Sequence, residues 1–140
     1  MYSKNAPFRY DFVGSFLRPA PIKAARAAFA ASKLDAAGLK EVEDREIRNL
    51  ISHQKAAGYH TITDGEFRRS YWHLDFMWGL QGLQEITLDH GYIFHGEETT
   101  PGSVQVVGKI SGENHPFVEH FKFVKQFEDD NTVARQTIPA

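Results

Sequence analysis

Apolar residues recur along this chain with two different periods, and the periods separate its elements. Leu39, Val42, Ile47, Leu50 and Ile51 return near helical spacing, with Lys40, Glu43, Asp44, Arg45 and Arg48 on the other faces. This predicts a helix from about Asp35 or Leu39 to Ala57, closed by Gly58, because a left-handed residue costs glycine almost nothing. Pro21 suits a first helical turn, and the strong helix formers of Ile22 to Ala31 follow it. A further helix is expected from Pro116 to Glu128, with Phe117, Phe121, Val124 and Phe127 on one face. Strand character is shorter. Phe8 to Leu17 is a short segment whose apolar residues flank Gly14, and Pro19 and Pro21 stop it. Tyr59 to Thr63 is β-rich and ends at Asp64-Gly65, while Val104 to Ile110 and Thr132 to Ile138 read as later strands. Between them lie an aromatic stretch from Ser70 to Leu83 and a polar excursion over 84–103, with weak strand signals around Tyr92 to Phe94.

Strand, helix of roughly 20 residues and strand in that order make a βα unit leading into a second parallel strand. Functional side chains in such sheets gather at the carboxyl ends of the strands. Gly14-Ser15 and Asp64-Gly65-Glu66 both fall there. A final strand without a covering helix would leave one face of a parallel sheet bare. Three such strands cannot close a barrel, which needs eight strands and roughly 250 residues. The expected fold is therefore α/β, the opening third of something larger.

Composition narrows the classes. A chain of 140 residues has room for one core, and 41% hydrophobic with 24% charged residues is the balance of a globular domain. The formal charge of -2 lacks the cationic excess that phosphate backbones require, so no nucleic-acid partner is expected. There is no cysteine, which excludes disulfides, thiolate nucleophiles and cysteine-based metal sites within this chain. No signal peptide opens Met1 to Arg9, and no apolar run approaches the ~20 residues of a membrane span. The expectation is a cytoplasmic protein without a membrane partner.

Candidate chemistry sits in three places. In Asp64-Gly65-Glu66-Phe67-Arg68-Arg69 the glycine turns the chain sharply. A carboxylate there could hold an ammonium group or act as a base, and Arg68 or Arg69 could hold a carboxylate bidentately. The same residues also suit a charged loop with solvated ion pairs. Ser15 could donate to an anionic group near a helix N-terminus, or serve only as a turn residue. His73 and Asp75, among Tyr71, Trp72, Phe76 and Trp78, could form a metal or acid–base pair, although a histidine among aromatics is more often a packed, hydrogen-bonded residue. His115 and His120 are five apart, which puts them on different helical faces and does not suit a shared metal.

Four motifs in register resemble a known family. Val13-Gly14-Ser15-Phe16-Leu17-Arg18-Pro19, Thr63 to Arg69, Tyr71-Trp72-His73-Leu74-Asp75-Phe76 with Trp78-Gly79-Leu80, and Val107-Gly108-Lys109-Ile110 with Thr137-Ile138-Pro139 look like the cobalamin-independent methionine synthases. The likeness is to the N-terminal portion of the short, single-barrel members, similar to the catalytic C-terminal half of the longer enzyme. It implies that residues 1–140 form an incomplete TIM barrel, the first three strands or so of a (β/α)₈ fold with a helical and β excursion after the second. It implies methyl transfer from a methyltetrahydrofolate-type donor to homocysteine, with a zinc ion lowering the pKa of the substrate thiol. Gly14 and Ser15 would then hold the substrate carboxylate and Glu66 its ammonium group. Arg18, Asp64, Arg68, Arg69, His73 and Asp75 are the further pocket candidates, and no residue is assigned as catalytic. The family's zinc ligands come from later strands, so the resemblance places them outside this chain and predicts no activity for it alone. Asp64 stands where the longer enzymes carry histidine. Two other readings remain open: a truncated non-catalytic module, and a superfamily relative acting on another thiol or on a carboxylated substrate through Arg18, Arg68 and Arg69.

Overall fold

The computed structural model describes residues 12–139. Along the chain run α1 (Ala20–Ala30), α2 (Ala36–Ala56), β1 (Thr61–Ile62), α3 (Leu74–Trp78), β2 (Gln81–Thr87), β3 (Ile93–Phe94), β4 (Glu97–Glu98), β5 (Gly102–Ser111), α4 (Pro116–Lys125) and β6 (Val133–Ala134). The fold is mixed α/β, with three two-stranded sheets pairing β1 with β6, β2 with β5 and β3 with β4. No closed barrel forms among the described residues. The chain divides into two compact units, the first made of the described residues up to Arg68 together with His120–Thr137.

In this first unit the expected helices form close to their expected bounds. Pro21 lies in the opening turn of α1. Asp35 caps α2 by accepting from the Gly38 amide at 2.8 Å, and Gly58, at φ +82°, follows its C-terminus. Ile22 from α1 and Ile47 and Ile51 from α2 are buried with Ile62, Phe67 and Val124. Phe16, Leu50, Phe123, Phe127 and Ala134 pack around them. The buried set is nearly all aliphatic, so its stabilisation follows from the apolar area withdrawn from water. β1 and β6 are parallel, with Thr61 opposite Val133 and Ile62 opposite Ala134. The Val133 amide donates to His60 O and the Arg135 amide to Ile62 O, both at 2.9 Å.

One expected strand has no counterpart among the described residues. Of the Phe8 to Leu17 segment, residues 8–11 lie outside the described residues, and 12–17 make no ladder. A backbone bond from the Phe16 amide to Gly65 O, 3.1 Å, helps to tie this stretch beside the end of β1. The Val104 to Ile110 strand does exist, but within the second unit and antiparallel to β2. Leu83 and Ile86 fall on opposite faces of β2, so no clean alternation announced it. Gly82, at φ +78°, makes a bulge between Gln81 and Leu83, where a Cβ would stand 2.4 Å from Lys109 O. His95 and Gly96 both take positive φ and turn β3 into β4. In α3 the Trp78 indole donates to Ser103 O at 3.0 Å, and Phe76 packs against His115 and Phe117.

Candidate functional site

The carboxyl end of β1 is built by side chains that hold backbone. Thr63, 1% exposed, gives its amide to Gln54 Oε1 at 3.0 Å and receives Gln54 Nε2 on its carbonyl at 2.9 Å. Gln54 thus acts toward Thr63 as a neighbouring strand would. The Thr63 hydroxyl donates to Gly14 O at 3.0 Å and accepts from the Gly65 amide at 3.1 Å. One threonine therefore joins the Gly14 segment to the Asp64-Gly65-Glu66 turn. Within the turn, Asp64 Oδ1 accepts from the Glu66 amide at 2.9 Å. Gly65 and Glu66 lie at φ +66° and +58°, so Glu66 occupies the left-handed region that non-glycine residues seldom adopt.

Glu66 is buried, and so is Asp64. The Thr137 hydroxyl donates to Glu66 Oε1 at 2.8 Å, and Arg18 Nη2 donates to Glu66 O at 2.7 Å. Arg18 Nη1 also reaches Ser15 Oγ and Phe16 O, each at 3.0 Å. Ser15 is exposed, and its hydroxyl accepts from Arg18, which leaves its O–H able to donate elsewhere. Gly14 is buried at φ +132°, and a Cβ there would meet Thr137 Cγ2 at 2.8 Å. The arrangement offers an exposed hydroxyl and a hydrogen-bonded carboxylate on one scaffold, donors and acceptors suited to a small zwitterion.

Gly14, Ser15, Arg18, Asp64 and Glu66 come together in the first unit, whereas the other candidates serve elsewhere. Arg68 lies in a charge cluster on α2, 3.2 Å from Glu43 and 2.5 Å from Asp44, with its guanidinium 5.1 Å above the Phe123 ring. Burial pushes the Glu43 carboxyl above its ordinary range, against the pull of Arg68 and Arg26. Asp44 is pushed up by burial too, but hydrogen bonds from Lys40 and Arg68 outweigh this and hold it low. In the second unit the Arg69 guanidinium is buried 4.2 Å over Phe117. Asp75 accepts from the Ser70 and Tyr71 amides at 3.0 and 2.7 Å, and the His73 ring lies tilted against Trp72, 4.7 Å between centroids, just before α3.

Three contributors were not singled out in the sequence: Gln54, Thr63 and Thr137. Thr137 belongs to the Thr137-Ile138-Pro139 motif, but no pattern linked it to Glu66, 71 residues away. Among the described residues no group of three His, Cys, Asp or Glu side chains could hold a metal ion. No helix among them is long and apolar enough to cross a membrane.

No protein-family model matches the chain. It is 39% identical over 137 residues to the uncharacterised proteins YxjH and YxjG of Bacillus subtilis, covering 98% of this chain and 36% of each of theirs. It is 35% identical over 81 residues to a 5-methyltetrahydropteroyltriglutamate–homocysteine methyltransferase of Streptomyces avermitilis, 58% of this chain and 10% of that protein. A crystal structure from Listeria monocytogenes, provisionally assigned as a vitamin-B12 independent methionine synthase, superposes with a TM-score of 0.78 at 42% identity, covering 96% of this chain and 37% of that one. The chain therefore spans little more than a third of the length of the relatives that match it throughout. Sequence and structure agree in likening it to the cobalamin-independent methionine synthases.

Proposed function

We propose that this chain, like the methionine synthases it resembles, serves methyl transfer to a thiol, and that it supplies the amino-acid end of a homocysteine site. In this reading it is the N-terminal part of a (β/α)₈ barrel in the cytoplasm, with β1 and β6 as neighbouring barrel strands and the methyl donor of the tetrahydrofolate type. The observation that carries the proposal is that Arg18 ties the Ser15 hydroxyl to the Glu66 backbone carbonyl at the carboxyl end of β1, while the Glu66 carboxylate is held by the Thr137 hydroxyl. A carboxylate held in place pairs with an ammonium group by a charge-assisted hydrogen bond, and a serine hydroxyl serves a carboxylate. An α-amino acid carries both groups on one carbon. Fixing that end leaves the side-chain thiol to be presented to the donor, which is catalysis by orientation.

Zinc, which the family likeness implies, does not fit the residues of this chain: cysteine is absent, and the described residues assemble no group of three ligands. Its ligands belong to the remainder of the barrel in this reading. Arg68 and Arg69 have protein partners of their own, so they do not favour the alternative of a carboxylated ring held by arginines.

A chimera tests the proposal. This chain replaces the aligned segment of the Listeria protein, zinc is supplied, and methionine formation from homocysteine and methyltetrahydrofolate is followed. Turnover is expected, and Glu66→Gln is expected to lower kcat/KM by roughly 10- to 100-fold, the worth of a hydrogen bond to a charged group. A folded chimera without turnover, or one indifferent to Glu66→Gln, refutes it.

A further inference from the structure

We propose that Thr137 and Arg18 are positioning residues that hold Glu66, the first through its carboxylate and the second through its backbone. The inference rests on the amino-acid site proposed above and extends it to residues outside the binding set. Glu66 combines a buried side chain with a left-handed backbone, two features that a chain does not keep without neighbours that hold them. Arg18 Nη2 meets the Glu66 carbonyl at 2.7 Å while Nη1 meets Ser15 Oγ and Phe16 O at 3.0 Å. Its planar fork thus sets the spacing between the two proposed substrate contacts, which a lysine cannot reproduce.

Thr137 acts from the segment that follows β6. Its hydroxyl donates to Glu66 Oε1 at 2.8 Å, and its methyl group lies 2.8 Å from where a Gly14 Cβ would stand. The hydroxyl fixes the rotamer of the carboxylate, and the methyl fits the glycine. This residue reads Gly14 and Glu66 at once, so the three segments hold their relative positions only together. Neither side chain need touch substrate. Their effect is on the orientation of groups that do, which the proposed chemistry requires within fractions of an ångström.

The test compares wild-type chain with Thr137→Val, Thr137→Ser and Arg18→Lys, by amide hydrogen exchange without ligand and by calorimetric titration with L-homocysteine. Thr137→Val keeps the shape and removes the donor. Exchange at the Gly65 and Glu66 amides is expected to quicken about tenfold, with no change at Ile47 and Ile51 in α2, and homocysteine affinity to fall about tenfold. Thr137→Ser should restore both. Arg18→Lys should reproduce both losses. Unaltered local exchange in Thr137→Val and Arg18→Lys overturns the positioning roles. Exchange that quickens equally in α2 also overturns them, since the residues would then be general stabilisers. Wild-type chain that binds no homocysteine, with exchange responding as expected, instead refutes the amino-acid site and leaves the positioning of Glu66 supported.

Discussion

Replacing Gln54 by leucine tests whether the site rests on a helix side chain standing in for a strand. Gln54 is 2% exposed and Thr63 1%, so neither end of their two-point contact is open to water. Leucine fills much of the same volume but leaves the Thr63 amide and carbonyl without the bonds of 3.0 and 2.9 Å that Gln54 supplies. A buried backbone group stripped of its partner costs about 1–3 kcal/mol, so two groups cost roughly 2–6 kcal/mol. Part of this is recovered by burying the more apolar side chain, which sets the expected loss near 3 kcal/mol. For a chain of this size that lowers Tm by roughly 10 °C. The assay is thermal denaturation followed by circular dichroism, with His53→Leu on the exposed side of the same helix as control, expected within about 0.5 kcal/mol of wild type. Urea titration of both variants checks that the m-value is unchanged. A Gln54→Leu protein melting within about 2 °C of wild type would refute the claim that these bonds fix the end of β1.

Gly14→Ala places a Cβ 2.8 Å from Thr137 Cγ2 at a φ of +132°, so it should destabilise by more than about 1 kcal/mol in urea titration and displace Thr137 from Glu66. Removing the threonine methyl in Gly14→Ala/Thr137→Ser should recover part of that loss; an additive double variant would contradict the steric account. Three carboxylates make stability depend on pH in two opposing directions. Burial raises Glu43, so the folded state takes up its proton before the unfolded state does; its contribution is present below the ordinary value of 4.5 and is lost as pH rises through the folded value. Asp44, held low by Lys40 and Arg68, and Asp129, held low by a hydrogen bond from Lys55, contribute above 3.8 and lose it as pH falls. Glu43→Gln should therefore make Tm fall more steeply than in wild type as pH falls toward 4.5, and Asp129→Asn less steeply as pH falls below 3.8. Parallel Tm–pH curves for variant and wild type would remove either assignment.

Helices were the legible part of this fold, because their apolar positions repeat often enough to define a face. Ile47 and Ile51 lie one turn apart on α2 and are both buried. The sheet was legible in part. Thr61–Ile62 and Val133–Ala134 fall inside their expected segments, but each is only two residues long, too short for a period to mark its ends. β2 went unread because Gly82 and the mismatched faces of Leu83 and Ile86 erase alternation. At the site, Ser15 and Glu66 could be picked out since each follows a strand-like segment and a glycine. What could not be picked out was which arginine does what. Arg68 and Arg69 are adjacent and chemically identical in sequence, yet one lies against Glu43 and Asp44 and the other over the Phe117 ring. Arg18 lies 48 residues from Glu66, and its bonds to the Glu66 carbonyl and the Ser15 hydroxyl have no sign in the sequence. Such assignments depend on contacts between distant segments, which no local period encodes.

The residue at position 66 shows how far geometry alone carries the functional reading. A turn needing φ +58° is relieved by glycine or asparagine, and a buried position is relieved by an apolar side chain. Glutamate answers neither demand. It keeps a left-handed backbone, which costs on the order of 1 kcal/mol, and a carboxylate withdrawn from water, which costs more unless donors meet it. Arg18 and the Asp64 carboxylate offset the first cost, and Thr137 offsets part of the second. Were the turn only a connection, Glu66→Gly would stabilise it by removing both costs at once. Were the carboxylate needed for a cationic ligand, the same change would raise Tm and abolish homocysteine binding together. That opposition between stability and binding is the signature to seek in Glu66→Gly, by melting and titration of one preparation. A variant that loses stability as well as binding would show Glu66 to be part of the architecture, and would remove the strongest physical reason for placing a ligand beside it.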